Sequence, residues 1–296
     1  MTDPIYHVDG TLVPADEATV SVADRGFRYG DAAFETLRAY GGTVFAWQAH
    51  ADRLERTCET LGFAKAIPPR DDLHDRIQAT LAANDLADAY VRLSVTRGVQ
   101  DGKLTPDSRV DPTVIVVVKP LPRGGLAGEP PWDGPATLQT VETRRPSASA
   151  LPPDAKTHNY LNGILARLEL RRAANEAFAA DEAILRDESG TVVEGATSNL
   201  FFVADGELCT PSADLPLLPG ITRDIVLEEA REEGLPIRTG HFAVTDVRDA
   251  DEVFATNATW EVRPVGRVDG IDREVGPMTE LLRRRYAERV EAVCYE

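Results

Sequence analysis

Lysine is nearly missing from this chain. Only Lys65, Lys103, Lys119 and Lys156 stand against 28 arginines in 296 residues. Cysteine is scarce too: Cys58, Cys209 and Cys294 are odd in number and scattered, with no CxxC spacing. That excludes a disulfide framework and points to a reducing, cytoplasmic setting. His7, His50, His74, His158 and His241 form no ligand cluster, so no metal is expected. No apolar run of about eighteen residues occurs, which argues against a membrane-spanning helix. The opening "MTDPIYHVDG" lacks a basic region and an apolar core, so no signal peptide is read there. GxxxxGK[ST], GxGxxG and GxSxG are absent, which removes three familiar nucleotide and nucleophile loops.

What is abundant is negative charge. Forty-nine acids against 32 bases give −17, a field that repels nucleic acid and anionic membranes. An acid-rich, lysine-poor surface suits high salt; an arginine-rich, GC-biased genome gives the same bias. Hydrophobic content of 43% is enough for a sizeable core, and the length fits one large or two medium domains.

Dipeptides that favour tight turns mark hairpins at Asp9-Gly10, Gly41-Gly42 and Asp205-Gly206, and another around Glu188-Ser189-Gly190. "WQAHADRLERTCETLGF" reads as a helix with Leu54, Cys58 and Leu61 on one face and Gly62 at its end; "DDLHDRIQATLAAND" reads as a second. "AYVRLSVTRG" and "PTVIVVVKP" are strands, the latter apolar enough for a central position. Residues 119–135 are dense in Pro and Gly and mark the best linker. "ATLQTVETRR" is another strand. Leu161, Ile164, Leu165 and Leu168 then repeat at helical spacing. "GITRDIVLEEAREEG" and "MTELLRRRYAERVEAV" are helices. Strands and helices mix in both halves, which predicts a two-domain α/β or α+β protein.

Four features carry chemistry. Lys156 precedes a helix, where a partly buried amine becomes a nucleophile. Glu194 ends the apolar strand "TVVEG", where a carboxylate needs a partner. "LLPGITRD" presents a helix start over Ile221 and Thr222, a natural anion site. Arg53 offers a forked cation for a phosphate. Taken singly, each has an ordinary alternative: a solvated lysine, an exposed strand end, a plain helix start, an ion pair with Asp52, Glu55 or another acid.

The order and spacing of "DRGFRYGDAAFETLRAY", "HADRL", "KTHNYLNGILAR", "VVEGATSNLFFV", "LLPGITRD" and "NATWEVRPV" resemble the fold-type IV pyridoxal-phosphate enzymes. These include branched-chain and D-amino-acid aminotransferases and aminodeoxychorismate lyases. The resemblance implies a small N-terminal α/β domain over 1–120, a linker over 121–134 and a larger C-terminal pseudo-barrel domain over 135–296 that binds pyridoxal 5′-phosphate. It implies that Lys156 forms the Schiff base, Glu194 faces the pyridine nitrogen, and Arg53, Ile221 and Thr222 hold the phosphate. Ala258 stands where the family often has a hydroxyl, with Thr259 beside it. Tyr160 matches a ring-hydroxyl contact, one residue nearer the lysine than in branched-chain enzymes. Tyr29, Phe34, Tyr90, Arg92 and Arg97 match substrate positions. Arg97 corresponds to a carboxylate-binding arginine of D-amino-acid enzymes, whose companion histidine is here Val99. Arg28, Trp47, Trp260 and Arg263 have no assigned role. The expected activity is transamination between an amino acid and a 2-oxo acid, by a homodimer. The alternative is aminodeoxychorismate lyase, which yields 4-aminobenzoate and pyruvate.

Overall fold

The computed structural model describes residues 3–174 and 179–296. The chain divides into two compact units. One comprises Met1–Glu129, Ala155–Asn159 and Val290–Glu296; the other comprises Pro130–Asp154 and Tyr160–Arg289. The change near Glu129 falls in the Pro/Gly-rich stretch. Lys156 groups with the first unit although its neighbours in sequence belong to the second.

The first unit is built on strands β1 (Ile5–Val8), β2 (Thr11–Pro14), β3 (Ala32–Tyr40), β4 (Thr43–Val44), β5 (Ala89–Thr96) and β6 (Val114–Pro120). They pair antiparallel in the order β2-β1-β6-β5-β3-β4. The apolar run of β6 takes a central place, as its composition predicts. Asp9 and Gly10 both have positive φ, as do Gly41 and Gly42, the geometry of two-residue hairpin turns. Helix α1 (Arg25–Tyr29) precedes β3; α2 (Trp47–Thr60) and α3 (Arg70–Ala83) cover one sheet face. Leu54 and Cys58 of α2 and Leu73, Ile77 and Leu81 of α3 pack on Leu37, Val91, Leu93 and Val116. Each such buried aliphatic chain contributes about 1.5–3 kcal/mol. Trp47 packs against this core.

The second unit contains β7 (Ala136–Arg144), α4 (Leu161–Ala173), β8 (Glu182–Arg186), β9 (Val192–Gly195), β10 (Asn199–Ala204), β11 (Glu207–Pro211), α5 (Ile221–Glu232), β12 (Ile237–Gly240), α6 (Val244–Arg248), β13 (Glu252–Asn257), β14 (Glu261–Val268) and β15 (Ile271–Asp272). Helix α7 (Pro277–Cys294) closes the chain. The sheet runs β12-β11-β10-β13-β14-β7-β8-β9, with β15 beside β14, and curls into a half-barrel. Its core includes Phe202, Val253, Val265 and Phe242.

The stripe on α4 is turned outward: Leu161 is 65% exposed, Ile164 53%, Leu165 48% and Leu168 37%. The helix buries Ala166 and Leu170 instead. Periodicity finds an apolar face but not what covers it.

Gly98, at φ +82, abuts the backbone, and an added Cβ would overlap the carbonyl oxygen of Asp111. Gly98→Ala therefore combines left-handed strain of about 1–2 kcal/mol with a clash against main chain. Urea unfolding should show a lower midpoint; an unchanged midpoint would contradict this packing.

Candidate active site

In the first unit, the segment around Thr157 meets β3 through an isolated antiparallel bridge. Phe34 N donates to Lys156 O at 3.0 Å, His158 N donates to Ala32 O at 3.0 Å, and Lys156 N donates to Thr57 Oγ1 at 3.1 Å. Ala33 lies opposite Thr157. Across β3, Phe34 pairs with Ser94 and Thr36 with Arg92. Residues opposite one another share a sheet face. The register thus gathers Lys156, His158, Phe34, Ser94 and Arg92 on one face. Lys156 Nζ lies 4.6 Å from the Phe34 ring centre, and the Arg92 guanidinium lies 3.8 Å from it. His158 meets Phe34 edge-on at 5.6 Å and hydrogen-bonds through Nε2 to Ser94 Oγ at 3.2 Å. Burial and the Arg92 charge push this imidazole down to about 4, so it is neutral at neutral pH. Arg92 has neither ion pair nor hydrogen bond among the described residues.

Arg53 is buried and grips Glu35: Nε donates to Oε1 at 2.8 Å and Nη2 to Oε2 at 2.6 Å. His50 Nδ1 bonds the same carboxylate at 2.8 Å. Asp52 and Glu55 pair with Arg70 instead. Burial raises the Glu35 carboxyl, but Arg53 and His50 outweigh it and bring it down to about 2. Arg97 is engaged elsewhere. Its Nε and Nη2 donate to Asp31 at 2.7 and 3.0 Å, its Nη2 also to Leu61 O, and it stacks on Phe63. Arg25 shares Asp31, and its fork also takes the carbonyls of Lys103 and Leu104. Tyr29 donates to Gly102 O at 3.1 Å and lies beneath the guanidinium groups of Arg25 and Arg28. Tyr90 is half-buried on β5, on the face of Arg92.

In the second unit, Glu194 is buried near the end of β9 with both oxygens engaged. Arg145 Nε lies 2.7 Å from Oε1, and Leu218 N donates to Oε2 at 3.0 Å. Sequence reading misses Arg145; the only signal is the Arg144-Arg145 pair at a strand end, which does not say which arginine turns inward. Glu182, also missed, is fully buried. It accepts from Ala183 N, Ala196 N, Thr197 N, Thr197 Oγ1 and Ser198 Oγ, fixing the turn that follows Glu194. Leu218-Pro219-Gly220 leads into α5, whose start no side chain caps. Thr222 is buried in its first turn and Ile221 half-buried. The loop carrying Ala258 and Thr259 is tied by Asn257 Oδ1, which accepts from Thr259 N, Thr259 Oγ1 and Trp260 N. Arg263 lies over Trp260, donates to Gly134 O and pairs with Asp181. Tyr160 starts α4 and lines a cavity of about 530 Å³ with Gly163, Ile164, Leu168, Ala196 and Thr197.

The chemistry of these groups fits a phosphorylated pyridine aldehyde. A partnered buried carboxylate suits a cationic ring nitrogen, an uncapped helix start suits a phosphate, and an amine on an aromatic face suits an aldehyde. The sequence pattern described as amino-transferase class IV matches residues 32–268. The chain belongs to the class IV aminotransferases. It is 38% identical to a putative branched-chain-amino-acid aminotransferase of Methanocaldococcus jannaschii, over 95% of each chain. It is 31% identical to a D-alanine aminotransferase of Listeria monocytogenes, over 98% of this chain and 97% of that one. The branched-chain aminotransferase of Thermoproteus uzoniensis, solved with norvaline, superposes with a TM-score of 0.85 at 29% identity, covering 98% of this chain and 95% of that one. The family match starts at β3 and ends with β14, so it takes in the register that holds Lys156.

Glu35→Gln should leave Arg53 buried without its anion, at a cost of about 3–5 kcal/mol. Because Glu35 is depressed from 4.5 to about 2, it contributes stability in full above pH 4.5 and loses it as pH falls toward 2. Acid unfolding of the variant should therefore be less steep in that window. An identical acid profile would remove Glu35 as its source.

Proposed function

We propose that this class IV aminotransferase carries pyridoxal 5′-phosphate on Lys156 and moves an amino group between an amino acid and a 2-oxo acid. The observation that carries the reading is Arg92. It stands unpartnered on the same sheet face as Lys156, where a transaminase needs a cation for its carboxylate-bearing substrates.

When bound, the cofactor supplies an aldehyde and a ring that draws electrons away from the substrate Cα. Lys156 anchors that aldehyde and, once released, carries the proton taken from the substrate. Glu194, braced by Arg145 and Leu218 N, holds a proton on the ring nitrogen. The α5 start with Ile221 and Thr222, together with Arg53, receives the phosphate, and Glu35 fixes the plane of the Arg53 guanidinium. Ala258 and Thr259 stand at the phosphate by the resemblance, and Tyr160 serves the ring hydroxyl. Tyr29, Phe34, Tyr90 and Arg92 form the substrate set. Arg97 joins them by the resemblance, its Nε and Nη2 held by Asp31 and the Leu61 carbonyl.

Borohydride reduction in the presence of pyridoxal phosphate should fix the label on Lys156 and on none of the other three lysines. L-amino acids, D-amino acids and amines, added separately, should reveal which one converts the cofactor to its amine form. Conversion by none of them, with aminodeoxychorismate giving 4-aminobenzoate and pyruvate, would replace transamination with the lyase reaction.

The working form is proposed to be a homodimer in the cytoplasm. The outward stripe of α4 supports the first point: four large aliphatic side chains lie exposed beside Arg171 and Arg172. A second copy of a −17 chain offers both an apolar match and acids for those arginines. Buried, unpaired Cys58 and Cys209 support a reducing compartment. The acid excess supports a salt-rich source. Sedimentation should give twice the 32.2 kDa chain mass, and Ile164→Arg should halve it; a monomeric wild type would overturn the dimer.

A further inference from the structure

Asn199 opens β10, five residues beyond Glu194 and opposite Thr256 on β13. Its position is fixed twice over, by the β10–β13 ladder and by the turn that Glu182 ties down. Its side chain is buried, and both ends are used on one short loop. Nδ2 donates to Leu218 O at 2.9 Å. Oδ1 sits against Gly220 so closely that an added Cβ there would overlap it. Leu218 is therefore held from both sides: its N–H bonds Glu194 and its C=O bonds Asn199. The next residue is Pro219, whose ring fixes φ and restricts Leu218 as well. Gly220 is then the N-cap of α5. A stiff tripeptide thus links the carboxylate to the helix start, with Asn199 as its bracket.

We infer that Asn199 is a positioning residue that couples the ring-nitrogen end of the cofactor site to its phosphate end. The inference rests on the proposed cofactor reading and goes beyond it. A phosphate on the α5 start orders Gly220 and Leu218, and through Leu218 N–H it orders Glu194. By reciprocity, a ring seated on Glu194 tightens the phosphate site. Asparagine is suited to this place because its Nδ2 donates to Leu218 O while its flat Oδ1 end fits against Gly220. Aspartate keeps the shape but has no proton for Leu218 O. Alanine removes both contacts.

The test uses two separate halves of the cofactor as probes, pyridoxal without its phosphate and inorganic phosphate. Pyridoxal occupancy is read as borohydride-fixed label on Lys156 by peptide mass spectrometry. In the wild type, saturating inorganic phosphate should lower the pyridoxal concentration for half-labelling by about fivefold, the small end of measured couplings. In Asn199→Ala and Asn199→Asp the ratio should fall to about one, although each variant still labels. Loss of stability alone would weaken labelling equally with and without phosphate and leave the ratio intact. An intact ratio in either folded variant overturns the inference. So does a wild type indifferent to phosphate, which needs no variant to fold. If wild type takes no label even from pyridoxal phosphate, the cofactor reading itself fails and this inference falls with it.

Discussion

The proposed site depends on one buried carboxylate being held still. A lone anion taken out of water costs several kcal/mol, and a carboxyl that reprotonates to avoid that cost cannot hold a proton on a pyridine nitrogen. Glu194 avoids it with a charged partner on one oxygen and a backbone N–H on the other. Neither partner lies near it in sequence, so the fold of the second unit assembles the charge. The same solution recurs. Glu35 is enclosed by Arg53 and His50, Glu182 by a whole turn, and Glu252 by the first N–H groups of α7. In a chain with 49 acids, the few that are buried act as fasteners. Each closes a loop, a helix start or a cation onto the sheet.

Lysine scarcity has a matching consequence. Arginine stays charged and tolerates burial in forked pairs, and the interior cations here include Arg25, Arg53 and Arg97, each bound to an acid. Lysine is the cation that gives up its proton, and one of only four stands on the edge of β3. The strand register gives it an aromatic neighbour and an unpaired arginine, while the neutral His158 adds no further charge to that face.

Much of this was legible in the sequence, and the failures have physical causes. The Asp-Gly and Gly-Gly hairpins are readable because only a few residues accept positive φ at two successive positions. The hairpin at Asp269-Gly270 has the same signature and geometry but is missing from the sequence reading. Lys156, Glu194 and the α5 start are readable because their chemistry is local to a motif. Arg145, Glu182 and Asn199 are not, because Arg145 meets Glu194 from the end of a distant strand, Glu182 ties Ala196 14 residues on and Asn199 holds Leu218 19 residues on, and distant pairing leaves no spacing to detect. The motif position of Arg97 likewise says nothing about Asp31, 66 residues away, which accepts from its guanidinium. The α4 stripe is visible but not its exposure, since a 3.6-residue period is blind to what lies opposite.

The central claim is that Glu194 keeps the cofactor ring protonated, and nitrogen resonance tests it most directly. Protein reconstituted with pyridoxal phosphate labelled with ¹⁵N in the ring should give a pyridinium-type shift throughout the neutral range. Glu194→Gln should move it to the neutral-pyridine position. A wild-type signal already at the neutral-pyridine position would contradict the account.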